Sequence, residues 1–262
     1  MSFLKHKRIA ILGGTGTLGR ALVTEIAESH SQVEKVLIFS RDEIKQLKMM
    51  EDFPEDSFPF LDYKLGDVRD LDRLNEVLLG VNYVVHAAAI KHVVMAEQNP
   101  SECYKTNILG SRNIIEVCDQ LKIERALLVS TDKAINPIGV YGKSKKLAEE
   151  DWTGANNDKG CRFCIIRLGN IIGSRGSVFE AFANQRKNGI LKVTHPEATR
   201  FCISQRDASG HILHLLEFPI EGIFTPKMDR ISILELAKEI GPECEIEFIG
   251  LREGDKLHEE IG

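Results

Sequence analysis

Four polar residues in a row, Ser130-Thr131-Asp132-Lys133, stand just ahead of Tyr141, and Tyr141 opens a Tyr-x-x-x-Lys pair closed by Lys145. Residues four apart on a helix share a face, so the Lys145 ammonium would lie beside the Tyr141 phenol. A cation there favours tyrosinate and draws the phenol's pKa down toward that of a useful base. Asp132 and Lys133 add an acid and an amine immediately upstream, which points to more than one proton transfer. The bland alternative makes Lys133 a solvated loop charge and Asp132 a helix cap.

The polar stretch follows an apolar run, Ala126-Leu127-Leu128-Val129, that reads as a buried strand. Doubly wound sheets bind ligands at the carboxyl ends of their strands, so chemistry is expected right after it. Strand and helix patterns alternate from Arg8 onward, which predicts a Rossmann-type doubly wound α/β fold with a parallel sheet. Strands are expected at 8–12, 33–40, 63–65, 81–86, 126–129 and 164–168. Helices are expected from the glycine turn to about 29, over about 43–50, after Asp70 and over about 101–120. Past Gly173 the alternation weakens and loops lengthen. The expected division is a dinucleotide-binding Rossmann domain over 1–172 and a smaller cap over 173–262, some of whose segments return to the core.

With 262 residues the chain can bury a full core. Its net charge of -5 argues against nucleic acid as a partner. No apolar run approaches the roughly 20 residues that a membrane crossing needs. The amino terminus runs into the first strand without a signal-peptide core, so the expected compartment is the cytoplasm. The six cysteines are scattered, and Cys161-x-x-Cys164 has no second pair at metal spacing, so buried thiols and no metal are expected.

Gly13, Gly16 and Gly19 lie between the first strand and the first helix. That spacing permits a tight turn and lets backbone amides meet a pyrophosphate at the helix N-terminus. The cradle would comprise Gly13, Thr15, Gly16, Thr17 and Gly19. At the end of the second strand, where a carboxylate would take the ribose hydroxyl of NAD, the chain has Ser40-Arg41. An arginine there pairs with a 2'-phosphate, so NADP is favoured over NAD, although Asp42 stands close by. Lys45 is either part of the phosphate site or a solvated helix lysine. By analogy with dinucleotide sites, Asp67 and Val68 would meet the adenine, and Ala87, Ala88 and Ala89 would leave room for the dinucleotide backbone.

The glycine motif and Tyr-x-x-x-Lys together resemble the extended short-chain dehydrogenase/reductase superfamily. Longer strings narrow the resemblance: Phe39-Ser40-Arg41-Asp42-Glu43, His86-Ala87-Ala88-Ala89-Ile90-Lys91-His92-Val93, Ser130-Thr131-Asp132-Lys133-Ala134, the run from Gly169 to Val178, and the run from Arg252 to Glu260. They look like the UDP-N-acetylglucosamine 4,6-dehydratases, specifically the soluble C5-inverting type of bacterial surface-sugar pathways. Membrane-bound retaining relatives usually carry methionine where this chain has Tyr141. Family members generally continue for several tens of residues past the Lys256-Leu257-His258-Glu259-Glu260 string, whereas this chain stops at Gly262.

The resemblance implies a UDP-N-acetylhexosamine substrate, a resident NADP, and a homo-oligomer, dimer or hexamer. It implies that Tyr141 takes the proton of the 4-hydroxyl, helped by Lys145 and by a hydroxyl of Thr131 or Ser130. Lys133 would remove the C5 proton as a neutral amine, and Asp132 would protonate the departing 6-hydroxyl. Asn107 would order a relay water. Asn170 and Arg175 would lie near the diphosphate, Ser177 and Val178 near uracil, Arg252 on phosphate and Lys91 on the sugar. Thr199-Arg200 also matches the family, without an assigned contact. The rivals are a UDP-hexose 4-epimerase, which would not need Asp132-Lys133 as an acid–base pair, and a non-catalytic NADP-sensing scaffold, which would have lost the tyrosine or lysine.

Overall fold

The computed structural model describes residues 2–156 and 160–261. The chain opens with β1 (Arg8–Leu12), α1 (Thr17–Ser29), β2 (Lys35–Ser40), α2 (Glu43–Asp52), β3 (Leu61–Leu65), α3 (Leu71–Val77) and β4 (Tyr83–His86). Then come α4 (Val93–Gln98), α5 (Pro100–Tyr104), a π-helical turn over Lys105–Leu109, α6 (Gly110–Gln120), β5 (Arg125–Thr131), a 3-10 turn over Asp132–Ala134, α7 (Val140–Gly154) and β6 (Arg162–Leu168). The remainder holds β7 (Asn170–Ile171), α8 (Val178–Arg186), β8 (Ile190–Val193), β9 (Thr199–Ile203), α9 (Gln205–Glu217), β10 (Ile223–Phe224), β11 (Asp229–Ser232), α10 (Ile233–Ile240) and β12 (Glu245–Phe248).

Seven strands form one sheet in the order β10-β6-β5-β4-β1-β2-β3, and every pairing in it is parallel. Apolar residues such as Ile9, Ala10, Ile11 and Leu12 are buried on both faces, as a covered parallel sheet requires. One face packs Leu22, Val23 and Ile26 of α1 with Ile212, Leu215 and Leu216 of α9. The other packs Leu74 and Val77 of α3, Ile114 and Val117 of α6, and Ala148 and Trp152 of α7. Each fully buried Leu, Ile or Val among them contributes about 1.5–3 kcal/mol. The order reverses between β1 and β4, and the carboxyl ends of these strands face one crevice.

The segment after β6 divides its contacts. Helix α9 and strand β10 join the large sheet and its α1 face. The rest forms a small lobe with β11-β9-β7 in one sheet, β12-β8 in another, and Phe182, Leu191, Val193, Leu236 and Ala237 in its core.

Several expected boundaries move. Strand β2 starts at Lys35, because Val33 instead forms an isolated bridge to Lys5. Strand β4 starts at Tyr83, because Val81 closes a turn onto the Leu78 carbonyl. The expected long helix over 101–120 is α5, the π turn and α6 in succession, and α4 ahead of it was not anticipated.

Candidate active site

Strand β5 ends on Thr131, whose hydroxyl accepts the Lys133 N–H at 3.4 Å and donates to Asp132 Oδ1 at 2.9 Å, shaping the turn that follows. Ser130 is committed underneath: it donates to Glu149 Oε1 at 2.6 Å, and Glu149 is held by Arg167 through bonds of 2.9 and 2.6 Å. Of the two hydroxyls considered for the phenol, Thr131 is therefore the one that acts on Tyr141. Helix α7 begins at Val140 after Gly139, which lacks a capping side chain. The carboxylate of Glu97 supplies the cap, accepting the Val140 N–H at 2.6 Å. This fixes the first turn of α7, and with it Tyr141, with Lys145 one turn further on.

The electrostatics differ from the sequence expectation in two respects. Burial pushes the Tyr141 phenol up to about 12, with the Lys133 charge and a hydrogen bond with Thr131 opposing it. Lys133 is thus a cation that acts on the phenol in the protein alone. Lys145 is only 2% exposed, and burial lowers its ammonium to about 8 against the pull of Glu149. Nor is Lys133 a neutral amine in a dry pocket. Its Nζ lies 3.1 Å from Asp132 Oδ1 and 3.3 Å from Glu259 Oε1. Burial depresses its pKa, but the two carboxylates more than offset that and raise it above the usual lysine value. Its ammonium also reaches Asn170 Oδ1 at 3.4 Å.

The glycine turn fits a dinucleotide. Gly13 has φ +85°, and a Cβ there would stand 2.7 Å from the Ala88 nitrogen. A Cβ on Gly19 would meet the Gly14 carbonyl oxygen, so only hydrogen lets the helix close on the turn. Helix α1 has no side-chain cap and no acid in its first turn, which leaves its N–H groups and positive end for an anion. Beside that turn lies a pocket of about 350 Å3 lined by Thr17, Lys45, Arg20, Lys48 and Arg175. Ser40 is buried and Arg41 is exposed, with its guanidinium 3.7 Å from Asp67. Asp42 caps α2 by accepting the Lys45 N–H at 3.0 Å and pairs with Lys45 Nζ at 2.7 Å. Asp67 is drawn onto Arg69 at 2.7 Å, and Val68 is buried against Gly110. Ala87 continues from β4 on a bond to the Leu12 carbonyl, so Ala87 to Ala89 border the turn.

Other expected residues fall less simply. Asn107 is buried and its amide is fully used: it accepts from Ile90 N–H at 2.8 Å and donates to the Ile90 carbonyl at 3.0 Å and to Ser144 Oγ at 2.9 Å. These bonds tie the π turn to the backbone at Ile90 and to Ser144 of α7. Arg175 rests on the glycine turn: its guanidinium donates to the Thr15 carbonyl at 2.7 Å and its N–H to Thr17 Oγ1 at 3.3 Å. Lys91 donates to the Arg175 carbonyl at 2.9 Å. Ser177 caps α8, which starts at Val178. Arg252 is exposed. The sequence offers no role for Glu97 or Glu259, and it singles out Arg200 without a contact. Arg200 is one of the cations near Glu259, at 4.0 Å. The sole sequence cue to them was the strings that contain Arg200 and Glu259. Among the described residues no cluster could hold a metal, and no helix is long and apolar enough to cross a membrane.

Residues 9–262 match the model of a family described as polysaccharide biosynthesis protein. The chain is 40% identical over 259 residues to the UDP-N-acetylglucosamine 4,6-dehydratase (inverting) of Campylobacter jejuni, covering 97% of this chain and 76% of that protein. It is 37% identical to the UDP-glucose 4-epimerase of Rickettsia canadensis, covering 97% and 77%. Among solved structures, Pen from Bacillus thuringiensis superposes with a TM-score of 0.92 at 33% identity, covering 97% of this chain and 80% of that one. The dTDP-glucose 4,6-dehydratase DesIV from Streptomyces venezuelae gives 0.85 at 20% identity over 97% and 88%, a likeness of fold.

Proposed function

The chain belongs to the polysaccharide biosynthesis protein family, and from that premise we propose that it is a lyase that dehydrates UDP-N-acetylglucosamine to a UDP-4-keto-6-deoxy-hexosamine with inversion at C5. The observation that carries this reading is the contact of a buried acid with an amine, Asp132 and Lys133 at 3.1 Å, where Lys133 and Tyr141 line one crevice. An epimerase, the reading that the Rickettsia relative suggests, needs no such pair.

When bound, the nicotinamide dinucleotide supplies a two-electron acceptor for sugar C4 and returns the pair to C6. NADP is favoured because Asp42, the nearby acid, is engaged as a helix cap, while Arg41 and a cationic pocket remain. Tyr141, as the tyrosinate, takes the 4-hydroxyl proton, with Thr131 hydrogen-bonded to the phenol oxygen and Lys145 one turn away. The resulting 4-ketone acidifies C5. Transfer of one proton from Lys133 Nζ to Asp132 converts their ion pair into a neutral base and a neutral acid. Lys133 then takes the C5 proton, the C5–H electrons form the C5–C6 double bond, and the departing 6-oxygen leaves as water with the proton of Asp132. Reprotonation of C5 from the opposite face completes the inversion. Lys91, Asn170, Arg175, Ser177, Val178 and Arg252 are the sugar-nucleotide contacts in this reading, in a cytoplasmic homo-oligomer.

The test is incubation with UDP-N-acetylglucosamine in deuterated water, read by product mass and C5 configuration. Loss of water with one deuterium at an inverted C5 is expected, and a product of unchanged mass epimeric at C4 refutes it. Lys133→Ala should abolish deuterium incorporation at C5, and its persistence would remove Lys133 as the base.

A further inference from the structure

Glu259 has no part in the chemistry above, yet it is 2% exposed and its carboxylate stands 3.3 Å from the Lys133 amine. Burying a carboxylate is costly unless its surroundings hold it. Here the flanking chain is tied down on both sides. Lys256 Nζ donates to the Ile135 carbonyl at 2.6 Å, and the Thr199 N–H donates to the Leu257 carbonyl at 3.2 Å. The Thr199 hydroxyl meets His258 Nδ1 at 2.9 Å, and Asn136 donates to Glu260 at 2.6 Å. Residues 256, 257, 258 and 260 are thus engaged in anchoring, and the carboxylate of residue 259 is set against the Lys133 amine. The Arg200 guanidinium, 4.0 Å away, also donates to the Leu257 carbonyl at 3.1 Å. Asp132 Oδ2 and Glu259 Oε2 are both buried without a hydrogen-bond partner, so two unspent acceptors flank one amine.

We propose that Glu259 is a positioning residue for Lys133: it fixes the amine against Asp132 and stabilises the ammonium that forms as the amine takes the C5 proton. This rests on the reading of Lys133 as the C5 base. The role parallels that of any carboxylate that orients a general base and strengthens it by facing its protonated form. The ionisable groups that face Lys133 are Asp132 from the 3-10 turn, Tyr141 from α7, Arg200 and Cys202 from β9, and Glu259. Within this set Asp132 and Glu259 raise the Lys133 pKa and Arg200 lowers it.

The test is to label lysines of the whole protein with acetic anhydride across a pH series and read the Lys133 peptide by mass spectrometry. In Glu259→Gln the pH at which Lys133 becomes reactive should fall by about one unit or more. In the same variant kcat for UDP-N-acetylglucosamine should fall about tenfold while KM stays within about twofold, a split that a collapsed site would not give. An unchanged labelling midpoint overturns the proposal. Should Glu259→Gln fail to fold, Glu259→Asp, which keeps the charge but draws it back from the amine, should shift the midpoint in the same direction by less. No shift there is equally fatal. A shifted midpoint in a protein that does not dehydrate the sugar leaves the carboxylate's role standing and removes the dehydratase reading instead.

Discussion

At the residue scale, the site sets a phenol that is hard to ionise against an ammonium that is easy to neutralise. Tyr141 at about 12 and Lys145 at about 8 are both moved by burial, in opposite senses, because burial penalises whichever form is charged. Tyr141→Phe should leave the melting temperature near that of the parent and lower turnover about a thousandfold, measured as product formed per enzyme. Lys145 also makes a prediction for pH. Its folded value lies below the ordinary 10.5, so between about 8 and that value the unfolded chain binds more protons than the folded one. Stability relative to a Lys145→Met variant therefore rises with pH across this window. The difference in unfolding free energy by urea should grow by about 2 kcal/mol between about pH 7.5 and about pH 9.5. Turnover should fall over the same range as the Lys145 ammonium, one helical turn from Tyr141, is lost.

At the scale of elements, the pieces with a strong local signature were legible in the sequence and those made by tertiary contacts were not. Strand β1 falls on its expected residues because four apolar positions follow Arg8 directly into the glycine turn. Asp70 caps α3 as expected, accepting the Arg73 N–H at 2.9 Å. The π turn left no trace, because one inserted residue hardly disturbs helical periodicity over twenty positions. It brings Asn107 to Ile90 and Ser144, where its amide holds the fold together. Asn107→Ala would strand the N–H and carbonyl of Ile90, and should cost about 2–4 kcal/mol in urea unfolding. The cap on α7 was equally hidden, since Glu97 lies on the unanticipated α4.

At the scale of the molecule, the large sheet and the small lobe have separate cores, and the site lies where the chain's last segment comes back to β5. Sequence separation explains why this closure was unreadable: Lys133 and Glu259 meet through long-range ties such as the bridge between Thr199 and His258 and the Lys256 bond to Ile135. A chain ended after Glu253 should keep its far-ultraviolet circular dichroism, because no strand of the large sheet is removed. Its kcat/KM should nevertheless drop at least about tenfold through misplacement of the catalytic turn.

The seat of Arg175 on the Thr15 carbonyl has a consequence for traffic through the crevice. One guanidinium belongs at once to the loop that leads into α8 and to the turn that opens α1. Whatever settles that loop also settles the turn, and thermodynamic reciprocity makes the debt mutual. A nucleotide-sugar arriving on one side should slow the escape of a dinucleotide from the other, and an empty cradle should loosen the grip on sugar.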